Sequence, residues 1–487
     1  MQSFLWYDYE TFGISPKYSR PAQFGGLRTD MNLKPIGKPI TIYAAPSDDF
    51  LPEPHAVMIT GITPQEALEK GVSESVFARE IFELFTTPGT INVGFNSMRF
   101  DNEFTRYLFY RNFYDPYTHE WKSNTSKWDI VDMVRMTRAL RPDGINWPVD
   151  EISKKPSNRL ELLTVANGIE HGNAHDALAD VYATIEIAKL IKNKQPKLWH
   201  FLLDNRDKKS VIEMLSQPSL QPLVHSSNKY RSDTLSTAII LPVFQSNFGL
   251  FQAWDLRFDP SRLLDLDVEQ IIKNLFSKRS ELTEGEERLP LKGINPKHAP
   301  ALAPISVIDD EAYARLMLDH QTMVTNLEKT KKHIKEIGNK LAQVFNTEKE
   351  KSTKSSSKLG GRAIIATPDS MLYEGFIDNQ DRDVSNQVTE LDKNSIATFL
   401  PKFRDERLKK LWILYKARNF NDQLTADERD TYEKYRAQNI LGPKAFYPLE
   451  KFLEDLKKLA ETVDASKIHL LEDLQLWAEA IYPSEPS

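Results

Sequence analysis

Four carboxylates and one histidine near the start of the chain have the types and spacing of a metal-dependent hydrolytic site. Asp8 and Glu10 lie two positions apart in the run Phe-Leu-Trp-Tyr-Asp-Tyr-Glu-Thr-Phe-Gly, which is typical of a buried strand leading into a turn. Alternate residues of a strand share a face, so these carboxylates lie close together. Both stay ionised if a divalent cation lies between them, and Mg²⁺ and Mn²⁺ prefer such oxygen ligands. The alternative is a pair of surface carboxylates on an edge strand, which the apolar neighbours disfavour.

The other three residues lie at the starts of predicted helices. Asp101 precedes a predicted helix at 102–111, where taken alone it has the position of a helix N-cap. His175 lies in the loop before a predicted amphipathic helix at 177–191, and Asp180 is about one turn inside that helix. A single histidine at such a place is usually a helix-capping or surface residue. Together, the residues predict one metal-dependent site that consists of Asp8, Glu10, Asp101, His175 and Asp180.

The elements that must position these residues mix strands with helices. One helix begins at Thr63, which suits the N-cap, with Pro64 in its first turn and Glu66 three residues after the cap. The polar, proline-bearing segment 147–158 predicts a flexible loop. Buried strands are predicted at 4–13, 39–44 and 90–95. Further helices are predicted at 75–85, 129–140 and 159–167.

Residues 110–128 are rich in aromatic and basic side chains. The aromatic residues are Tyr110, Phe113, Tyr114, Tyr117, Trp121 and Trp128, and the basic ones are Arg111, Lys122 and Lys127. This mixture suits a path for single-stranded nucleic acid, in which bases stack on rings and phosphates pair with cations. An aromatic minicore beneath a long loop explains the same pattern, and the sequence leaves both interpretations open.

The composition is that of a multidomain globular protein. With 487 residues the chain is too long for one core, so we expect roughly two to four domains. A net charge of −6 requires any nucleic-acid site to be a local groove. The absence of cysteine excludes disulfides, thiolate catalysis and cysteine-bound zinc. There is no apolar run of roughly 18 residues and no charged-then-apolar leader, so we expect a cytoplasmic protein without a membrane span.

The residue pattern of the chain changes after a charged segment at 192–197, which we interpret as a domain boundary. Strands predicted at 235–241 and 250–258, with a turn at Asn247-Phe248-Gly249, indicate a small β-barrel-like domain. Helices are predicted at 263–277 and 309–345. A run rich in Lys and Ser at 346–361 predicts a solvated linker. The remainder is predicted to be helical, most clearly at 408–418, 426–438, 448–462 and 465–481.

The motifs resemble those of the DEDD-type 3′→5′ exonucleases in their histidine branch. Asp8-Tyr9-Glu10-Thr11 resembles the first motif, Gly94-Phe95-Asn96 with Phe100-Asp101 the second, and the run from His175 to Asp180 the third. The tyrosine branch needs a tyrosine where Asp176 stands. Longer sequence segments resemble one family in particular, the bacterial exonuclease I family. They lie at 8–13, 20–24, 59–67, 110–117, 173–177, 372–376 and 415–420.

The resemblance implies a fold of three domains. The first is an α/β ribonuclease H-like nuclease domain over 1–195, with a mixed sheet flanked by helices. An SH3-like, β-barrel-containing domain with helical additions is expected over 196–345. A flexible linker over 346–366 and an α-helical C-terminal domain over 367–487 complete the chain. The Lys- and Ser-rich linker departs from the family pattern.

The resemblance also implies a processive 3′→5′ exodeoxyribonuclease that hydrolyses single-stranded DNA to 5′-mononucleotides in DNA repair and recombination. Two Mg²⁺ ions, for which Mn²⁺ can substitute, are expected at the site. In this scheme Asp8, Glu10, Asp101 and Asp180 are the metal ligands. His175 is the general base that deprotonates the attacking water. The middle and C-terminal domains are expected to close a clamp over the DNA, and a monomer is the simplest assembly.

Further residues are expected to contact the substrate or a partner. The expected substrate contacts are Glu10, Thr11, Phe12, Asn96, Phe100, Arg106, Tyr117, Trp121, Arg135 and Arg159. For the three arginines a surface salt bridge is the alternative, and for Tyr117 and Trp121 it is packing. The family also binds the acidic, hydrophobic C-terminal tail of the single-stranded DNA-binding protein. Arg141, beside Pro142 and near Trp147, is the expected contact for that tail.

Other functions fit parts of the pattern. A 3′→5′ exoribonuclease of the oligoribonuclease or RNase T kind, or a proofreading subunit, shares the motifs but usually consists of one nuclease domain. A non-catalytic nucleic-acid scaffold would keep the fold without activity. A structural metal site would give metal-dependent stability alone. The chain beyond residue 195 and the presence of all five catalytic residue types favour the exodeoxyribonuclease.

Overall fold

The computed structural model describes residues 2–172, 176–247, 249–277, 288–352, 358–359 and 362–483. Contacts divide the chain into two compact units. The first consists of Met1–Lys127, His171–Thr184 and Ser356–Ser487, and the second of Trp128–Glu170 and Ile185–Ser355. Among the helices in the described ranges, none combines the length and the apolar character that a membrane crossing requires.

The secondary structure is as follows. The strands are β1 Ser3–Thr11, β2 Pro21–Thr29, β3 Ile40–Tyr43, β4 Thr90–Gly94, β5 Ser126–Asp129, β6 Leu223–Ser226, β7 Thr237–Gln245, β8 Phe251–Asp255, β9 Leu291–Ile294, β10 Ala301–Pro304, β11 Lys358–Leu359 and β12 Arg362–Ala363. The α-helices are α1 Pro54–Thr60, α2 Pro64–Lys70, α3 Glu74–Thr86, α4 Asp101–Arg111, α5 Ile130–Leu140, α6 Leu160–Ala166, α7 Ala177–Lys194, α8 Pro196–Asp204, α9 Lys208–Leu215, α10 Ser261–Leu264, α11 Val268–Phe276, α12 Asp310–Arg315, α13 His320–Lys332, α14 Ile334–Ser352, α15 Asn379–Thr389, α16 Glu406–Asn419, α17 Ala426–Ile440, α18 Leu449–Ala460 and α19 Ile468–Ala480.

The first unit contains strands β1 to β4 of a mixed sheet with the strand order β3-β2-β1-β4-β5. Strand β1 pairs antiparallel with β2 and parallel with β4. The consecutive side chains of Phe4, Leu5 and Trp6 are all fully buried. Because neighbouring residues of a strand point to opposite faces, both faces of β1 are covered. This confirms the buried first strand that its apolar run predicts.

Strand β2 is missing from the sequence-based prediction. Its segment begins with Pro21 and contains Gly25 and Gly26, residue types that argue against a strand interior. The structure places Pro21 at the first strand position, where a missing backbone N–H is tolerated. All but one of the strand residues are buried, so tertiary packing overrides the weak local preference.

Local hydrogen bonds determine where two helices of this unit begin. Thr63 accepts a hydrogen bond from the Glu66 backbone N–H at 3.2 Å, which confirms the predicted start of α2. Asp101 does not cap α4, because it is the first residue of that helix and the cap position belongs to Phe100. Its Oδ1 instead accepts a hydrogen bond from the backbone N–H of Tyr9 on β1, at 3.3 Å. The Asp101 carboxylate is therefore directed at the strand that carries Asp8 and Glu10.

The C-terminal helices α15 to α19 belong to the same unit as this sheet. Leu474 and Trp477 of α19 share a hydrophobic core with Phe12, which follows β1, and with Val57 of α1. The four predicted helices at the C-terminus correspond to α16, α17, α18 and α19. The end of β1 is thus packed against residues more than 400 positions later in the sequence.

A buried ionic network reinforces this packing. Arg20 donates to Asp369 at 3.0 Å, and Arg418 donates to Asp369 at 2.6 Å and to Asp49 at 2.5 Å. Tyr435 also donates to Asp369, at 2.9 Å. Burial alone would raise the pKa of Asp369, but Arg418 and Arg20 hold it well below its ordinary value. Cations from both ends of the chain therefore keep this buried carboxylate ionised.

The second unit contains an antiparallel sheet with the order β10-β6-β7-β8-β9. Strands β7 and β8 correspond to the two predicted strands. The sequence does not predict β6, β9 and β10, which are four residues long and therefore carry little periodic signal. The helical segment predicted at 309–345 forms α12, α13 and α14, and α14 continues to Ser352. Phe248 of the predicted turn lies outside the described residues.

Candidate metal centre and nucleic-acid contacts

Three carboxylates meet at the carboxyl end of β1. Asp8 and Glu10 lie on this strand, opposite Gly25 and Gln23 of β2. Asp180 lies in the first turn of α7. One potential ligand atom from each of Asp8, Glu10 and Asp180 lies within 4.8 Å of the others. The structure thus brings together three of the four carboxylates that the sequence predicts to be metal ligands.

A close approach between β2 and α7 places Asp180 at this position. A Cβ atom on Gly25 would lie 2.5 Å from the backbone carbon of Ala177 and 2.5 Å from the backbone nitrogen of Leu178. Gln23 accepts a hydrogen bond from the Ala177 backbone N–H at 3.0 Å. The start of α7 therefore rests directly on β2, at a distance that only glycine permits.

Asp101 is the fourth carboxylate of the set. It lies in the first turn of α4, and its hydrogen bond to Tyr9 joins it to β1 between Asp8 and Glu10. Its negative charge contributes to the raised pKa values of both Asp8 and Glu10. Asp101 therefore belongs to the same electrostatic cluster.

The cluster has the electrostatics of a cation site. Burial, followed by the charges of Asp101, Glu10 and Asp180, raises the pKa of Asp8 well above its ordinary value. Burial, followed by the charges of Asp180 and Asp101, raises the pKa of Glu10 to about 9. The protein alone would thus hold protons on carboxylates here near neutral pH, whereas a divalent cation would keep them ionised. A donor set of carboxylate oxygens fits magnesium or manganese.

A histidine that the sequence analysis does not select also contacts this cluster. The Nε2 atom of His171 lies 2.5 Å from Oδ1 of Asp180, and the His171 side chain is only 6 % exposed. The available signal was its position four residues before His175, in the same short segment. The sequence predicts a role only for His175, which lies outside the described residues.

The residues expected at the terminal nucleotides have different surroundings. Thr11 is buried and donates a hydrogen bond to the carbonyl of Gly13 at 2.9 Å. Phe12 is 1 % exposed, and its ring packs in the core described above. This burial gives Phe12 a packing role in place of the expected nucleotide contact. Asn96 has left-handed backbone geometry, with φ of 64°, and with Phe100 flanks the short turn Ser97–Arg99 that leads to Asp101.

The aromatic segment divides between the two interpretations that the sequence left open. Tyr110 and Phe113 are buried in a core with residues of α16. Trp128 is also buried. Tyr117 is 37 % exposed and Trp121 is 67 % exposed, so their rings remain accessible for stacking. The minicore interpretation thus fits the first three residues, and a stacking surface fits the last two.

The predicted phosphate-binding arginines already have acidic partners. Arg106 pairs with Glu103 at 2.5 Å and Glu120 at 2.6 Å, and is 7 % exposed. Its guanidinium also lies 5.2 Å from the centre of the Tyr117 ring. This burial means that Arg106 would have to exchange partners to reach a phosphate.

The other predicted basic contacts belong to the second unit. Arg135 pairs with Asp132 on the same helix. Arg159 pairs with Asp150 at 2.9 Å, and its side chain is 58 % exposed. Arg141 pairs with Asp309 at 3.2 Å and donates to the carbonyl of Val307 at 2.8 Å. Of the arginines expected to bind phosphate, Arg159 is thus the most accessible.

Three family models match successive parts of the chain. An exonuclease model matches residues 5–188, the exonuclease I SH3-like domain matches 206–347, and the exonuclease I C-terminal domain matches 366–481. The chain is 40 % identical over 477 residues to exodeoxyribonuclease I of Haemophilus influenzae, with 97 % of each chain covered. It is 39 % identical over 483 residues to the Escherichia coli enzyme, with 98 % of each covered.

Solved structures of exonuclease I also match the chain over nearly its whole length. An exonuclease I from Methylocaldum szegediense superposes with a TM-score of 0.91 at 40 % identity, covering 99 % of this chain and all of that one. A zinc-bound complex of E. coli exonuclease I with single-stranded DNA gives 0.89 at 38 % identity, with the same coverage. A structure of SSB and exonuclease I with an inhibitor gives 0.87 at 37 % identity, again with the same coverage.

Proposed function

The chain belongs to the exodeoxyribonuclease I family, and from this premise we propose that it degrades single-stranded DNA processively from the 3′ end, releasing 5′-mononucleotides. The family has a ribonuclease H-like domain, an SH3-like domain and a helical C-terminal domain, and this chain has the same architecture. Its exodeoxyribonuclease activity also follows from the family. The activity depends on a divalent metal, which we propose is Mg²⁺ as two ions, with Mn²⁺ able to substitute. DNA repair and recombination are the proposed cellular roles, in the cytoplasm.

One observation carries this proposal. Ligand atoms of Asp8, Glu10 and Asp180 lie within 4.8 Å of one another. Asp101 adds a fourth negative charge to the cluster. When bound, two divalent ions would supply electrostatic stabilisation to the attacking and leaving oxygens of an in-line phosphodiester hydrolysis. Asp8, Glu10, Asp101 and Asp180 are the residues that would hold these ions.

Two protein groups are proposed to act on the substrate beside the ligands. Glu10 accepts a hydrogen bond from the terminal 3′-hydroxyl. His175 takes the proton of the attacking water at an imidazole nitrogen, because an ordinary imidazole titrates near 6.5 and is a competent base at neutral pH. Removing a general base typically costs about 10²–10⁴-fold in rate. His175→Ala is expected to fall in that range, and turnover equal to the wild type contradicts the assignment.

The proposed DNA contacts are those that the sequence predicts, apart from Phe12. Tyr117 and Trp121 stack on bases, since both rings are accessible. Arg159 and Arg135 pair with phosphates, and Arg106 does so after exchanging an acidic partner. Thr11, Asn96 and Phe100 lie beside the metal ligands in sequence and are proposed to hold the terminal nucleotides. Phe12 is left out of this set because its ring is buried.

We also propose that the chain is a monomer that binds the acidic C-terminal tail of the single-stranded DNA-binding protein. The relative solved with SSB supports this partner. Arg141 is the proposed contact, with a side chain that is 39 % exposed and paired with Asp309. An acidic tail peptide would replace that carboxylate. Arg141→Ala is expected to weaken peptide binding without changing DNA hydrolysis, and unchanged peptide affinity contradicts the assignment.

One set of digestions tests the main proposal. Single-stranded oligonucleotides labelled at the 3′ or the 5′ end, as DNA and as RNA, are incubated with Mg²⁺ or with a chelator. Release of the 3′ label from DNA at once, with Mg²⁺ only, is expected. Conversion of full-length 5′-labelled DNA directly to very short products is the expected sign of processivity.

Two variants serve as matched controls in these digestions. Asp8→Asn is expected to abolish release, whereas Asp430→Asn, on an exposed helix face, leaves it unchanged. Cleavage of RNA with DNA left intact would identify an exoribonuclease instead. Binding of DNA without cleavage would identify the non-catalytic scaffold.

A further inference from the structure

His171 has the geometry of a hydrogen-bond donor to a metal-ligand carboxylate. Its Nε2 atom lies 2.5 Å from Oδ1 of Asp180. As a metal ligand the Asp180 carboxylate is ionised and only accepts hydrogen bonds, so in that state the imidazole donates from Nε2. The side chains are 6 % and 20 % exposed, which limits competition from water for this bond. Such a charge-assisted bond is stronger than a neutral one.

Asp180 has a particular need for such a donor. Asp8 and Glu10 extend from one strand, whereas Asp180 comes from a separate element, helix α7. Its carboxylate faces like charges, as its contribution to the raised pKa values of Asp8 and Glu10 indicates. Repulsion favours rotation of the Asp180 side chain away from the cluster, and a donor that holds the carboxylate in place counteracts this rotation.

His171 acts through Asp180 and does not complete the ligand set itself. Among the described residues, the group with ligand atoms within 4.8 Å of one another consists of Asp8, Glu10 and Asp180. The histidine contacts the Asp180 carboxylate from outside this group. Outer groups of this kind orient the ligands of a metal and typically change its affinity by about 10- to 100-fold.

We propose that His171 is a positioning residue that donates a hydrogen bond to Asp180 and keeps its carboxylate turned toward Asp8 and Glu10. This inference rests on the proposed metal-dependent function. Its consequence is that His171 sets the affinity for the divalent ion, while the ligands and the base perform the hydrolysis. Two histidines close in sequence thus have different roles.

Binding of Mn²⁺ alone to the full chain, measured by calorimetric titration, tests the proposal without reference to turnover. His171→Ala is expected to bind Mn²⁺ about 10- to 100-fold more weakly than the wild type. His171→Gln, which keeps an N–H donor, is expected to recover most of that affinity. His469→Ala, at an exposed position on α19, is the matched control and binds as the wild type does. Thermal melting without metal establishes that each variant is folded.

The outcomes separate this inference from the proposed function. A wild-type chain that does not bind Mn²⁺ would overturn the metal site itself. Wild-type binding with equal or tighter binding by His171→Ala would overturn only the role of His171. If His171→Ala does not fold, a folded His171→Gln that binds Mn²⁺ more than about 10-fold more weakly overturns the donor argument.

A kinetic measurement gives an independent readout. For His171→Ala, the Mn²⁺ concentration at half-maximal rate should rise by about the same 10- to 100-fold factor. The rate at saturating Mn²⁺ should approach the wild-type rate, because the ligands remain. A reduced rate at saturation with an unchanged metal dependence would contradict positioning.

Discussion

Replacing Gly25 with alanine tests whether the contact between β2 and α7 positions the metal ligand Asp180. The backbone of Gly25 is not in the left-handed region, so its conformation does not exclude alanine. The cost therefore comes from what the new methyl group meets. It would lie 2.5 Å from two backbone atoms, the carbonyl carbon of Ala177 and the nitrogen of Leu178.

The structure gives the size of the disturbance. Ordinary van der Waals contact begins at 3.4 Å, so the first turn of α7 must retreat by about 1 Å. Backbone atoms cannot rotate away as a side chain can, and Asp180 lies in the turn that moves. A misplacement of about 1 Å at a catalytic centre can cost about 10²-fold in rate, or about 3 kcal/mol in activation free energy. Overpacking should also lower the free energy of unfolding by about 1–3 kcal/mol.

Two measurements on each variant separate these effects. The initial rate of mononucleotide release from 3′-labelled single-stranded DNA at saturating Mg²⁺ reports on catalysis. Urea denaturation reports on stability. Gly26→Ala is the matched control, because its methyl group would lie 2.8 Å from a ring atom of the Phe24 side chain and would not touch α7. We expect this control to lose stability but keep its turnover. Turnover of Gly25→Ala within about twofold of the wild type would refute the reasoning.

Three further predictions test other parts of the molecule. The folded-state pKa of Glu10 is raised from 4.5 to about 9. The contribution of Glu10 to the free energy of unfolding is therefore complete below the lower of these two pKa values, and it is lost as pH rises through the higher one. Metal-free wild-type protein should therefore lose more thermal stability across this range than E10Q, and equal losses in parallel melts would be contrary to the raised pKa. Asp369→Asn removes the carboxylate that the buried Arg20 and Arg418 share, although Arg418 keeps Asp49 as a partner, so urea denaturation should show about 3–5 kcal/mol less stability, against less than about 1 kcal/mol for Asp430→Asn on the surface. Arg159→Ala should weaken binding of single-stranded DNA and reduce the slope of log affinity against log salt by about 0.7, while Lys208→Ala leaves that slope unchanged. An unaltered slope for Arg159→Ala would remove this arginine from the phosphate contacts.

The helices and strands around the metal centre can be predicted from sequence where the local residue pattern agrees with the burial and contacts of the folded element. The aromatic run of β1 is buried on both faces, and its pattern indicates this directly. Helix α2 begins at the Thr63 cap, whose partner Glu66 is only three residues away. The family and its three-part architecture, inferred from the motifs, are confirmed by the family models and relatives. The exact domain boundaries remain a prediction.

What the sequence did not reveal depends on distant contacts. Strand β2 contains proline and paired glycines, so its local preference opposes the structure that tertiary packing imposes. Gly25 matters because of Ala177, which is more than 150 residues away. The role of Asp101 was ambiguous for the same reason: its position indicates a helix cap, and only the fold places Tyr9 beside it. His171 carried no signal beyond its closeness in sequence to another histidine.

The predicted DNA contacts show a different limit. Residue type identifies an arginine or an aromatic ring as suitable for nucleic acid, but exposure decides its availability. Phe12 and Trp121 are equally plausible from sequence, yet one is 1 % exposed and the other 67 % exposed. Arg106 and Arg159 likewise differ in burial and in the number of acidic partners. These differences arise from the packing of entire elements and have no local signature in the chain.

The C-terminal helices supply none of the proposed metal ligands. The position of Phe12 explains why these helices still affect the metal site. Glu10 is followed two residues later by Phe12, whose ring is fixed in a core with Leu474 and Trp477 of α19. Arg20, just before β2, is held by Asp369 through a buried ion pair. The carboxyl end of β1 and the start of β2 are thus both anchored by residues from the end of the chain. Since Glu10 and Gln23 pair across these strands, the geometry of the carboxylate cluster is a property of the whole first unit.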